Sequence, residues 1–176
     1  MHEPKDMDCA FAILSADGNP KHLDLTASSI RRKFERSPIM CVTIQDCRED
    51  AVSEMSSICR VVKARNTYSS MITSALSNPQ AEWNFILISG SSMRSRMYRK
   101  YGCFVSSKRD ILYPVVDRKM NFVDGTINGI MFHRDTFSEV GGMLEFQSIE
   151  ESKMDWGYKA ACLGYTFKGI VGAGLA

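Results

Sequence analysis

The chain has 176 residues, 44% of them hydrophobic and 24% charged. That is enough apolar material for one packed core, and it excludes a disordered tail, a collagen-like repeat and a disulfide mini-protein. Lys plus Arg number 22 and Asp plus Glu 20, a formal charge of +2, and a balance that close to neutral does not by itself point to nucleic acid or anionic lipid.

The length predicts a single domain over residues 1–176. The longest apolar runs, such as Phe85 to Ile88, are too short to span a bilayer, and the opening His2, Glu3, Lys5, Asp6 and Asp8 is the wrong flank for a secretory signal. Six cysteines, at 9, 41, 47, 59, 103 and 162, form no C-x-x-C pair and mostly sit in apolar runs. Their placement predicts reduced thiols and a cytoplasmic protein rather than a disulfide framework or a zinc site.

In chain order, Cys9 to Leu14 (CAFAIL) reads as a buried strand ended by the turn cluster Ser15 to Pro20. A helix is predicted over Leu25 to Arg36, with Asp24 or Thr26 as cap, then a strand over Ile39 to Ile44 that stops at Gln45-Asp46. A helical pattern from Ala51, a short strand Cys59 to Lys63 and a helix Tyr68 to Leu76 follow. Trp83 to Ile88 (WNFILI) is the strongest central strand and runs into Ser89-Gly90-Ser91-Ser92. A basic helix Arg94 to Tyr101, a strand Ile111 to Val116, the apolar Ile130 to Phe132 and a helix Glu151 to Leu163 stopped by Gly164 complete the pattern. Strands alternating with helices predict an α/β fold whose mostly parallel sheet is covered by helices on both faces. Ligands of such sheets lie beyond the carboxyl ends of the strands, where Asp17, Asp46 and Ser89 fall.

The ordered segments SADGN, IQDCRED, VVKARNTYSSMITSAL, AEWNFILISGSSM, NGIMFHRDTFSEVGGMLE and KMDWGYKAACLGYTFKGI resemble the GT-A fold of nucleotide-sugar glycosyltransferases, family 2 in particular, over residues 9 to 170. The resemblance implies a Rossmann-like domain that binds a nucleotide sugar and transfers the sugar to a hydroxyl acceptor. It implies that Asp17 and Asp46 contact the base and ribose of the donor, since each carboxylate accepts two hydrogen bonds from an imide N–H or ribose hydroxyls. Arg65 and Asn66, in the ARN segment, would border the nucleotide, and Asp155 would be the base that deprotonates the acceptor.

The pattern departs from the family at one place. Family members carry Asp-x-Asp after the central strand and hold Mg²⁺ or Mn²⁺ on it; this sequence has Ser89-Gly90-Ser91 there. Hydroxyls are weak, uncharged ligands, so the expectation is transfer with no divalent cation or with weak dependence on one. In its place Ser89, Ser91 and the first amides of the next helix, with Arg94 and Arg96, are the groups expected to face a diphosphate, although this basic helix equally suits a capped, solvated surface. Asp17 and Asp46 also suit ordinary turns, and Asp155 suits a helix first turn. An alternative reading therefore stands beside the enzyme: a GT-A domain that has lost catalysis and binds a protein partner within a larger assembly, viral or phage assemblies among them.

Overall fold

The computed structural model describes residues 7–92, 95–117 and 119–172, and in the fourth helix the side chains from residue 98 onward. The elements are β1 (Cys9–Ser15), α1 (Pro20–Arg31), β2 (Ile39–Ile44), α2 (Glu49–Ile58), β3 (Arg60–Ala64), α3 (Tyr68–Ser77), β4 (Trp83–Ile88), α4 (Ser95–Phe104), β5 (Asp110–Val115), β6 (Ile130–His133), α5 (Thr136–Val140), α6 (Ile149–Cys162) and β7 (Thr166–Val171). The seven strands form one sheet in the order β3-β2-β1-β4-β6-β5-β7. β1 pairs in parallel with both β2 and β4, β2 with β3, and β5 with β7, whereas β6 is antiparallel to β4 and β5.

Side chains alternate across each strand, so the two faces have separate cores. Phe11, Ile13, Cys41, Phe85 and Leu87 pack under Leu23, Ala27 and Ile30 of α1, Met55 of α2, and Tyr98 and Tyr101 of α4. Ala12, Leu14, Val42, Ile86 and Phe132 pack under Met71, Ile72 and Ala75 of α3 and Trp156 and Ala160 of α6. Burial on both faces explains why β1 and β4 are near-continuous apolar runs. The expected α/β fold with a mostly parallel sheet between helical layers is thus the observed one.

Several boundaries differ from the sequence expectation, each for a local reason. α1 begins at Pro20 rather than Leu25: Asn19 caps it, its side chain accepting from the Lys21 amide, and Pro occupies the first turn where no N–H is needed. Asp24 and Thr26 are therefore inside the helix, not caps, and residues 32–36 lie beyond it. α4 runs to Phe104 rather than stopping at Tyr101, with Gly102 inside it. α6 starts at Ile149 behind the cap Ser148, and Gly164 follows it with φ +82°, a left-handed value suited to glycine.

β6 is antiparallel because the chain reaches it from a segment lying along the carboxyl edge, without a crossover helix. β7 has no expectation in the strand pattern. In TFKGIV only Ile170 is buried, and Gly169 instead lets β5 approach: a β-carbon there would lie 3.2 Å from Val115.

Candidate functional site

Parallel pairing of β2, β1 and β4 brings their carboxyl ends to one edge of the sheet as immediate neighbours. The turn after β1 packs on the turn after β2, with Gly18 so close to the Cys47 side chain that a β-carbon would lie 2.7 Å from its sulfur. Gly18 has φ +58°, and that conformation together with the close approach requires glycine. The Ser89 amide donates to Leu14 O at 2.9 Å, tying the end of β4 to β1. Asp17, Asp46 and Ser89 therefore stand on three adjacent tips.

Asp17 is not an idle turn residue. Its carboxylate accepts from the Asn19 amide and the Ser15 hydroxyl at 3.2 Å each, and its Oδ2 lies 2.6 Å from His22 Nδ1. Burial alone would raise this carboxyl, but the bonds from His22, Asn19 and Ser15 outweigh it and hold it below the ordinary aspartate value. Asp46 is exposed, and no described residue bonds its carboxylate. Arg65 and Asn66 sit at the end of β3, both exposed. Arg65 faces Glu145 at 3.4 Å, and Thr67 Oγ1 donates to the other oxygen of the same carboxylate at 3.1 Å. Glu145 lies on the strap between α5 and α6, so this strap covers the β3 end of the site.

The loop after β4 is held from two sides. Thr26 of α1 accepts from the Gly90 amide at 3.0 Å and donates to Ser91 O at 2.7 Å. Asn128 Oδ1 accepts from the Ile88 amide at 2.8 Å and lies 3.4 Å from Ser91 Oγ, which itself donates to Ile88 O. Ser89 Oγ is buried and has no hydrogen-bond partner among the described residues. Arg94 and the side chain of Arg96 lie outside the described residues.

The donor set at this loop does not fit a divalent cation. The Ser91 hydroxyl and the Asn128 oxygen are already engaged, the Ser89 hydroxyl is uncharged, and among the described residues no three His, Cys, Asp or Glu side chains cluster to hold an ion.

Asp155 occupies the second turn of α6, exposed, in an open groove of about 960 Å³ shared with Glu145, Phe146, Gln147, Glu151, Met154 and Tyr158. The α6 N-terminus reaches the same sheet edge as the strand tips, since Ser152 bonds Ser69 in the first turn of α3 at 2.9 Å. The first-turn acids are Glu150 and Glu151, so Asp155 is not placed to cap the helix dipole. Of residues 128–134, Asn128 reaches the site, whereas residues 130–133 are buried strand β6.

Three residues escaped the sequence reading as site residues. His22 and Thr26 carry no spacing signal that precedes knowledge of the topology. Lys153 does carry one, because it shares the inward helical phase of Trp156 and Ala160. Its Nζ is buried, donates to Val123 O at 2.7 Å and to Gly125 O, and lies 5.1 Å from the Phe122 ring centroid. Burial brings its pKa down to about 8, against the smaller opposing pull of Glu150 and Asp124. It fastens the loop 121–125 to α6.

No protein-family model matches the sequence, and no curated protein matches it. Solved structures do. A mannosyltransferase from Pyrobaculum calidifontis, solved with GDP-Man and Mn²⁺, superposes with TM-score 0.71 at 11% identity over 98% of this chain and 57% of its own. A Bacillus anthracis protein named as a glucose-1-phosphate thymidylyltransferase, solved with sucrose, gives 0.53 at 11% over 92% and 87%. The bifunctional IspDF of Campylobacter jejuni gives 0.59 at 9% over 94% and 50%. The chain thus spans little more than half of the mannosyltransferase. At these identities the likeness is one of fold: a Rossmann-like, GT-A-type α/β sheet.

Proposed function

We propose that this domain binds a nucleotide sugar across the tips of β1, β2 and β4 and transfers the sugar to a hydroxyl acceptor, in the manner of a family 2 glycosyltransferase with a degenerate Asp-x-Asp. The observation that carries the reading is the adjacency of those tips, with the groove of Asp155 at the same edge. Asp46, with its carboxylate free of described partners, accepts hydrogen bonds from the ribose or base, and Asp17 lies beside it. Arg65 and Asn66 border the nucleotide from β3. Arg65 exchanges Glu145 for the ligand at little cost, because the ion pair is exposed. Ser89, Ser91, Arg94 and Arg96 face the diphosphate, which makes the reaction independent of, or only weakly dependent on, Mg²⁺ or Mn²⁺.

In the transfer, the acceptor hydroxyl gives its proton to the Asp155 carboxylate and its oxygen bonds to the anomeric carbon. The bond from that carbon to the diphosphate oxygen breaks, and the nucleoside diphosphate leaves with the electron pair. Phe146, Met154 and Tyr158 line the groove in which the acceptor lies.

A thermal-shift series with UDP, GDP and their sugars, with and without Mn²⁺, tests this reading. A ligand at roughly a hundred times its Kd stabilises the fold by about 2.7 kcal/mol, and no shift with any of them overturns it. A second reading, a binding component of a larger assembly without catalysis, is favoured by one feature: Leu144, Phe146, Met154 and Tyr158 are large apolar side chains exposed together on and beside the strap. Elution with a protein partner and indifference to nucleotides is its signature.

A further inference from the structure

His22 is the third residue of α1, at the carboxyl edge of the sheet. Its ring and the Asp17 carboxylate are each about half exposed, at 54% and 46%. Its backbone oxygen accepts the Gly90 amide at 3.1 Å, and a β-carbon on Gly90 would lie 3.8 Å from His22 Cγ. The imidazole is therefore packed on the Ser89-Gly90-Ser91 loop. Asp17 engages Nδ1, which fixes that nitrogen as the N–H donor; no described residue bonds Nε2, which is left for a ligand.

Building on the nucleotide-sugar reading of this edge, we infer that His22, in its protonated form and oriented by Asp17, binds the diphosphate through Nε2. It thereby supplies the positive charge that the residues at 89–91 cannot recruit through a divalent ion. The charge balance sets the sign. With a neutral imidazole the Asp17–His22 pair carries −1 and repels a phosphate. With the imidazolium the pair is neutral and presents a directed N–H donor.

Among the described residues, the charged groups around the ring are few. Lys21 and Asp24 flank it on α1, Asp17 faces it from the preceding turn, and Asp46 and Cys47 stand on the turn packed against Gly18. Ser89, Gly90 and Ser91 on the facing loop carry no titratable side chain. Diphosphate binding is therefore coupled to proton uptake at His22, and affinity falls as pH rises.

The test measures calorimetric affinity for UDP, GDP and inorganic pyrophosphate between pH 5.5 and 8.5 in wild type, H22Q and D17N, with the His22 imidazole followed by NMR. The expected result is a loss of roughly tenfold or more at pH 6 in H22Q. A pH-dependent component of affinity should be present in wild type and absent from H22Q, and the His22 titration should move upward when ligand binds. D17N, which leaves the imidazole in place but unoriented, weakens binding less than H22Q. Comparison with H22Q cancels the ionisation of the phosphates themselves. Binding of UDP or GDP with equal affinity in H22Q and an unmoved His22 titration overturns the inference while leaving the nucleotide reading intact. Absence of binding by all three ligands in folded wild type overturns both.

Discussion

Asp46 and Asp155 are exposed carboxylates, and on the proposed function they serve a ligand rather than the fold, which separates two measurements. D46A is expected to weaken nucleotide binding about tenfold or more while changing stability by less than about 0.5 kcal/mol, read by calorimetry and by thermal melting. D155N is expected to leave nucleotide affinity unchanged and to lower the transfer rate by about 10²- to 10⁴-fold, the range of a lost general base. Lys153 acts through the fold instead. Its folded pKa, about 8, lies below the ordinary 10.5, so between those values the unfolded chain binds a proton that the folded one does not. Stability therefore gains up to about 1.4 kcal/mol per pH unit from this group as pH rises through that window. Burial raises the Cys9 thiol to about 12 and the Cys59 thiol to about 11 and also raises Cys41 and Tyr101, so these groups act in the opposite direction. The alkaline stability profile of K153M subtracted from that of wild type isolates the lysine; parallel profiles would refute its burial as a charge.

At the scale of elements, the strap between α5 and α6 is what joins the groove to the strand tips. It is docked on α3 through Thr73, whose hydroxyl accepts from the Met143 amide at 2.9 Å and donates to Met143 O at 3.3 Å. Gly142 permits that approach: a β-carbon there would meet Thr73 Cγ2 and, at 2.9 Å, its Oγ1. G142A is expected to cost about 1–3 kcal/mol of stability, the range of an overpacked contact. It should also release Glu145 from Arg65 and Thr67, and chemical denaturation together with hydrogen exchange at 141–147 checks both effects. β6 and β7 show the limit of reading elements from pattern. A strand buried on both faces announces itself as an apolar run, as β1, β2 and β4 do, whereas β7 has one buried side chain in six and acquires its strand conformation from pairing with β5.

For the whole molecule, the expectation that follows from the donor set is indifference to divalent ions. The nucleotide-induced shift in Tm should be the same in Mn²⁺ and in EDTA, and a shift present only with Mn²⁺ would refute that reading. No helix among the described residues is long and apolar enough to cross a membrane. The two separate cores, one under α1, α2 and α4 and the other under α3, α5 and α6, place His22 on one side of the sheet edge and Asp155 on the other. A ligand bridging the tips is thereby offered groups from both layers.

Hydrophobic periodicity and turn chemistry are local properties, so the residues alone determined the α/β class, the parallel strands β1, β2 and β4, and the presence of Asp17, Asp46 and Ser89 at strand ends. Which tips are neighbours, that Thr26 and Asn128 brace the loop after β4, and which two carbonyls Lys153 reaches were decided only by the tertiary structure. Those contacts join residues brought together by strand order, with Thr26 and Ser91 65 positions apart and Ile88 and Asn128 40 apart. A hydrogen bond between groups so distant along the chain leaves no periodic trace in it, because its geometry exists only once the sheet has formed.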